Sequence, residues 1–192
     1  MPFYDALQQR TAGARAELLA VPVIQDCLCG RVTRAQYAAF LREAYHHVKH
    51  TVPLLMACGA RLGAARAPLR RAVEAYIAEE RGHEEWILGD LRACGEDPEA
   101  VRAGEPAPAT ELMVAYVYDY IARVNPAGML GMVHVLEGTS SALATRAAQA
   151  IAGALRLPHS AFTYLTSHGS LDQDHVEFFK KTIEGLTLED RS

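Results

Sequence analysis

Residues Thr33 to Leu62 read TRAQYAAFLREAYHHVKHTVPLLMACGARL, and the pattern of this stretch decides the class of the fold. Tyr37, Phe40, Leu41, Tyr45, Val48 and Val52 recur at three- and four-residue spacing, which makes one apolar stripe on an α-helix and would scatter over both faces of a strand. Thr33 is a good N-cap, so the spacing predicts a long helix from Thr33 to about Leu62 with that stripe on a core. The same spacing continues outward in both directions. A helix is expected from Phe3 to Leu19, stopped near Pro22, and a short one from Val23 to Leu28, ended by Gly30. Beyond the Gly63–Pro68 break, Leu69–Cys94 carries Val73, Ile77, Trp86, Leu88 and Leu91 and stops at Gly95. Glu96–Ala109, with three prolines, reads as a connecting loop. Thr110 would cap a helix through Val124, and Asn125-Pro126 opens another to about Leu155. A last pair of segments spans His159 to Gly185, with a kink at Gly169. No alternating strand pattern appears, so the expectation is an all-α, single-domain bundle of about seven helices covering residues 1–192.

Composition narrows the function. The 192 residues are half hydrophobic and 22% charged, which excludes a disordered chain and a disulfide-dense mini-protein. A net charge of -4 gives no drive to collect phosphates, so no nucleic-acid partner is expected. The longest apolar stretches, such as Thr51–Ala60, fall short of the roughly 20 residues of a membrane span. Met1–Arg10 carries Asp5, Gln8, Gln9 and Arg10 where an export signal would be apolar, so the expected setting is the cytoplasm, with no membrane partner. Cys27, Cys29, Cys58 and Cys94 are too dispersed for a disulfide framework and read as reduced, structural thiols.

Three segments carry chemistry. In His168-x-x-x-Asp172-x-x-His175, a helix turning about 100° per residue puts Asp172 about 40° and His175 about −20° from His168, so a continuous helix projects all three from one face. Two imidazoles and a carboxylate suit non-heme Fe(II); the alternative is a solvated face with incidental histidines. Glu80 and His83, within Glu79-Glu80-Arg81-Gly82-His83, form the Glu-x-x-His element of carboxylate-bridged di-iron proteins, with Glu79 as the fallback ligand. Glu84 and Glu85 read as surface charges. Glu137 lies in the apolar run Met129–Gly138, where a buried acid needs a partner: a metal, or a base such as Arg146. His134, one turn earlier, is a hydrogen-bond partner or a core histidine. Together these segments offer Glu80, His83, Glu137, His168, Asp172 and His175, enough donors for two metals. Three carboxylates against two Fe(II) leave a charge of about plus one to attract an anionic substrate or reduced oxygen. A ferritin would need a second Glu-x-x-His, which is missing.

Ala78–Glu84, Val135–Gly138 and His168–Glu177 resemble, in order, the metal-binding helices of the heme-oxygenase-like di-iron oxidases and oxygenases, the iron-containing redox enzymes. Their fold superfamily includes TENA-like thiaminases II and the pyrroloquinoline quinone synthase. The resemblance runs from Tyr45 to about Leu186. It implies an O2-dependent oxidoreductase with two Fe ions, or Mn in their place, held by those six residues, with Glu137 as a bridging or terminal carboxylate. Family members use O2 for oxidative decarboxylation, N-oxygenation or fragmentation of amino acids, so a small organic acid or amine is the expected substrate, with O2 and an unidentified electron donor as partners. The chain is short for the family, and no TENA-like catalytic cysteine setting is found. Heme oxygenase needs a proximal histidine in its first helix, and no histidine precedes His46.

Tyr45, His46 and His50 share a helix region that could touch substrate, with Lys49 or Arg42 to anchor a carboxylate, while His47 and Lys49 are expected to face solvent. Met56, Met113, Met129 and Met132 read as core filler or an apolar tunnel. The rival functions are a cofactor-free TENA-like or quinone-synthase-like enzyme, in which the six residues do acid–base work, and a helical interaction protein. A homodimer is the expected assembly.

Overall fold

The computed structural model describes residues 1–187, with the backbone alone for residues 168–175. Among the described residues there are eleven α-helices and no strand. They are α1 (Phe3–Arg10), α2 (Ala12–Leu19), α3 (Pro22–Leu28), α4 (Arg34–Val48), α5 (Thr51–Arg61), α6 (Ala67–Glu80), α7 (His83–Ala93), α8 (Pro98–Ala103), α9 (Pro108–Arg123), α10 (Met129–Leu155) and α11 (Thr163–Glu184). None is long and apolar enough to cross a membrane.

The all-α class is as expected, and the higher helix count has local causes. Thr33 does start α4: its hydroxyl accepts the Gln36 N–H at 3.2 Å while the Gln36 side chain accepts the Thr33 N–H at 2.8 Å, a reciprocal capping box. The expected single helix to Leu62 divides at Lys49 and His50 because Pro53 has no N–H for the Lys49 carbonyl, and its ring crowds that oxygen. The first helix divides at Thr11, whose hydroxyl turns back to the Leu7 carbonyl. The expected Leu69–Cys94 helix divides at Arg81 and Gly82, where Gly82 takes a left-handed φ of 92°. Within the expected loop, Asp97 caps the short α8 by accepting the Glu99 N–H at 3.0 Å. Where a pair of segments was expected, one helix runs without interruption from Thr163 to Glu184.

Three carboxylates seat helices that lie far from them in sequence. Glu43 of α4 accepts the Ala107 N–H at the head of α9 and the hydroxyl of Thr110, so Thr110 serves that contact and is not the N-cap. Asp90 of α7, fully buried, accepts the N–H groups of Thr163 and Tyr164, each at 2.9 Å, at the head of α11. Glu184 accepts those of Phe3 and Tyr4 at the head of α1, at 3.0 and 2.7 Å. Each satisfies helix-end donors that would otherwise lack an intrahelical partner, and each places a negative charge at the positive end of a helix dipole.

The helices α10 and α11 pack extensively on each other, and α11 also touches α7 and α1. A 27-residue helix is about 40 Å long. The link 156–162 can reach back only about 24 Å, so α11 must return antiparallel along α10. Two apolar clusters result. One joins α4, α7, the second half of α10 and the start of α11 through Tyr37, Leu41, Ile87, Leu91, Ile151 and Phe162. The other joins α5, α6, α9, the first half of α10 and the end of α11 through Leu54, Val73, Tyr76, Ile121, Met129 and Ile183. The four thiols are free, and burial pushes those of Cys58 and Cys94 up to about 11, as suits packing residues.

Candidate metal centre and its cavity

Between the two clusters lies a cavity of about 790 Å³, lined by members of both. Much of the lining is apolar, with Val23, Ile24 and Leu28 of α3 and Leu143, Ala147 and Ile151 of α10, two helices in contact. The polar lining includes Glu43 and His47 from α4, Tyr76 and Glu80 from α6, and Glu137 from α10; the charge of Glu80 acts on His47, and those of Glu137 and Glu80 act on Tyr76. No Lys or Arg occurs among the described lining residues.

Glu80 and His83 come together as the Glu-x-x-His spacing predicts, but by a different route. They stand on successive helices: Glu80 is the last residue of α6 and His83 the first of α7. The left-handed Gly82 turns the chain so that His83 Nδ1 lies 3.0 Å from Glu80 Oε2, with both residues buried. The His83 ring stacks on Trp86, with centroids 4.1 Å apart. Glu79 points outward and is exposed. Glu84 and Glu85 fall in the first turn of α7, where acidic residues favour the helix dipole, and Glu85 pairs with Arg102 at 2.9 Å. Gly82→Ala would force a Cβ into a conformation that costs an L-residue about 1–2 kcal/mol. The expected result is lower thermal stability, read by calorimetry.

Glu137 sits at mid-helix on the cavity, with Oε2 shielded from solvent. Its neighbour is the phenol of Tyr76, whose pKa is pushed upward by burial and then by the charges of Glu137, Glu79 and Glu80. Arg146, the basic partner considered from sequence, is exposed further along the same helix. The segment bearing His168, Asp172 and His175 is helical throughout, which meets the condition on which their shared face depends. Their side chains lie outside the described residues. Among the described residues no three His, Cys, Asp or Glu side chains form a ready metal-binding group. His134 is a core histidine, stacked on Phe179 and 3.3 Å from the Thr11 hydroxyl.

The expected substrate cluster is placed elsewhere. Tyr45, His46 and His50 are not among the cavity's described lining; His46 Nδ1 meets Lys49 Nζ at 3.1 Å and His50 Nδ1 meets the Tyr118 hydroxyl at 3.2 Å. The residue expected to face solvent, His47, lines the cavity instead. Its signal was a second stripe on α4, offset from the core stripe: Gln36, Phe40, Glu43 and His47, spaced four, three and four apart, all line the cavity. Phe40, 45% exposed, belongs to that stripe and not to the core. Tyr76 was legible too, four residues before Glu80 on the same helix face. Met113, Met129 and Met132 line the cavity, whereas Met56 is exposed.

Burial holds the His47 imidazole down to about 4, opposed by the negative charge of Glu80, and holds His46, His50 and His134 below the ordinary range. The unfolded chain therefore binds protons that the metal-free fold does not. Stability is present above the unfolded pKa near 6.5 and is lost as pH falls from there toward 4, with His47 contributing up to about 3 kcal/mol. Urea denaturation of the metal-free protein across that window should show a falling midpoint; a flat profile would refute it.

The fold belongs to the heme oxygenase-like class of helical bundles. A domain of unknown function with that fold from Shewanella denitrificans superposes with a TM-score of 0.83 at 27% identity, covering 98% of this chain and 82% of that one. A TenA homolog from Pseudomonas syringae pv. tomato superposes at 0.78 with 13% identity, over 99% and 86%, a likeness of fold alone. The chain belongs to the family of iron-containing redox enzymes, whose sequence profile matches residues 38–192. No curated protein matches the chain by sequence.

Proposed function

We propose that this iron-containing redox enzyme is an O2-dependent non-heme di-iron oxidase or oxygenase acting on a small organic acid or amine with an apolar body. The observation that carries the reading is the placement of two carboxylates, Glu80 and Glu137, from separate helices on one largely apolar cavity, with no Lys or Arg among its described lining residues. Carboxylates on such a wall are oxygen donors that a bound metal ion would use. The donors fit iron chemically: Glu80, His83 and Glu137, with His168, Asp172 and His175 on the α11 segment, offer the oxygen and imidazole set that Fe(II) accepts. Mn suits the same donors.

Iron held there would supply redox chemistry toward O2, and the electrons it passed on would be replaced by the substrate or by a separate electron donor. The protein's residues do the rest. The apolar wall of α3 and α10 receives the substrate body and excludes water. Thr51 and Ser140, also on the cavity, offer hydroxyls that can orient a polar head group. Tyr76, its pKa raised, keeps the proton on its phenolic oxygen at neutral pH and can donate it in a hydrogen bond to the Glu137 carboxylate.

The test is anaerobic Fe(II) loading, desalting and metal analysis, followed by optical spectra and O2 uptake. About two irons per chain and O2 consumption are expected. No uptake by a folded protein would overturn the reading and favour acid–base work by the same residues without a cofactor. His168→Ala and His175→Ala should each lose iron-dependent activity with helical content intact; full iron stoichiometry in both would remove α11 from the site.

A further inference from the structure

We propose that His47 is a further metal donor of this site, binding through Nε2. This rests on the metal reading above. His47 of α4 lines the cavity that Glu80 of α6 and Glu137 of α10 also line, close enough to Glu80 to feel its charge. Its Nε2 is shielded from solvent and has no hydrogen-bond partner among the described residues. A buried ring nitrogen without a partner is a net cost to the fold, and such groups are normally satisfied. The other histidines of the same segment are satisfied: His46 meets Lys49, and His50 meets Tyr118.

Three kinds of occupant could meet the Nε2: a water, a substrate group or a metal ion. The surroundings favour the metal. The family is iron-containing, iron takes oxygen and imidazole donors, and a neutral His47 imidazole on the cavity that Glu80 and Glu137 also line adds a nitrogen donor without adding negative charge. A protonated imidazole could offset one carboxylate instead, but the shielded ring would then carry its charge without a hydrogen bond at Nε2. The additional nitrogen ligand would draw the site toward metals that favour imidazole, such as Fe(II), Co(II) and Zn(II), relative to Mn(II).

The experiment uses the full chain loaded with Fe(II) alone and, in parallel, with Co(II) alone as an optical probe. Wild type, His47→Ala, the polar near-isostere His47→Gln and the control His134→Gln are compared, with circular dichroism confirming that each is folded. Metal per chain after desalting and the visible absorption of bound Co(II) are read. The expected result is at least tenfold weaker binding of one metal in both His47 variants, with a changed Co(II) band, while the His134 variant binds as wild type does. His47 variants that match wild type in stoichiometry, affinity and spectrum would overturn the inference and leave the di-iron reading standing. Failure of wild type itself to take up either metal would overturn both, so the two failures are distinguishable.

Discussion

Glu80→Ala is expected to leave a folded protein that no longer retains iron, with at least a hundredfold loss of any iron-dependent turnover. Glu80 is buried at the C-terminal end of α6, its carboxylate 3.0 Å from the His83 ring and on the cavity shared with Glu137. On the proposed site, removing it takes away one carboxylate ligand and the neighbour of a second ligand, His83, so the loss should exceed that of one ligand alone. The metal-free fold should be weakened as well, by up to about 3–5 kcal/mol, because the change deletes one member of a buried pair and leaves His83 Nδ1 without its neighbour at 3.0 Å. Glu80→Gln, which keeps the volume and an oxygen acceptor, separates the two effects: it should hold most of the melting temperature and still fail to retain iron. A variant with full iron content would show that Glu80 is no ligand. A collapse of the metal-free Glu80→Gln fold would show that it is a structural residue.

Asp90→Ala is the counterpart, a change outside the cavity that should unfold the site from behind. The Asp90 carboxylate is fully buried and receives two N–H bonds at the head of α11. Burial raises its pKa, and the hydrogen bonds from Tyr164 and Thr163 work against that rise. Charge-assisted bonds contribute about 1.5–3 kcal/mol each, and the alanine variant leaves both donors without their partner. A loss of about 3–5 kcal/mol is expected, or roughly 10 °C in melting temperature for a chain of this size. Asp90→Asn, which keeps an acceptor, should recover part of it. If Asp90→Ala melts within about 2 °C of wild type, the clamp does not hold α11.

The contrast between these residues marks how far the chain could be read before its structure was known. The helical class followed from spacing alone, since a three- and four-residue apolar repeat is meaningful only on a helix. Thr33 with Gln36 was a complete local signal, because both partners of a capping box lie within one turn. The Glu80 and His83 pairing was legible for the same reason, although Gly82, with φ 92°, ends one helix and begins the next. The division at Pro53 could have been foreseen from its missing N–H; the apolar stripe running past it concealed the break.

Asp90 and His47 were not legible in that way. Asp90 accepts from residues more than seventy positions away, and no local pattern reports where a distant helix begins. On α4 the sequence distinguishes faces by polarity, so His47, among Glu43, His46 and Lys49, resembled a residue on a solvated face. Its surroundings were settled when α6 and α10 closed around it and turned that face into a cavity wall. The same closure left Tyr45 and His46 of α4, and His50 at the head of α5, off the cavity's described lining. Periodicity, caps and breakers act within a turn or two and are written in the chain. The meeting of side chains from α4, α6 and α10 at one cavity depends on packing between remote segments, which follows from buried area and long-range contacts that no single stretch of sequence contains.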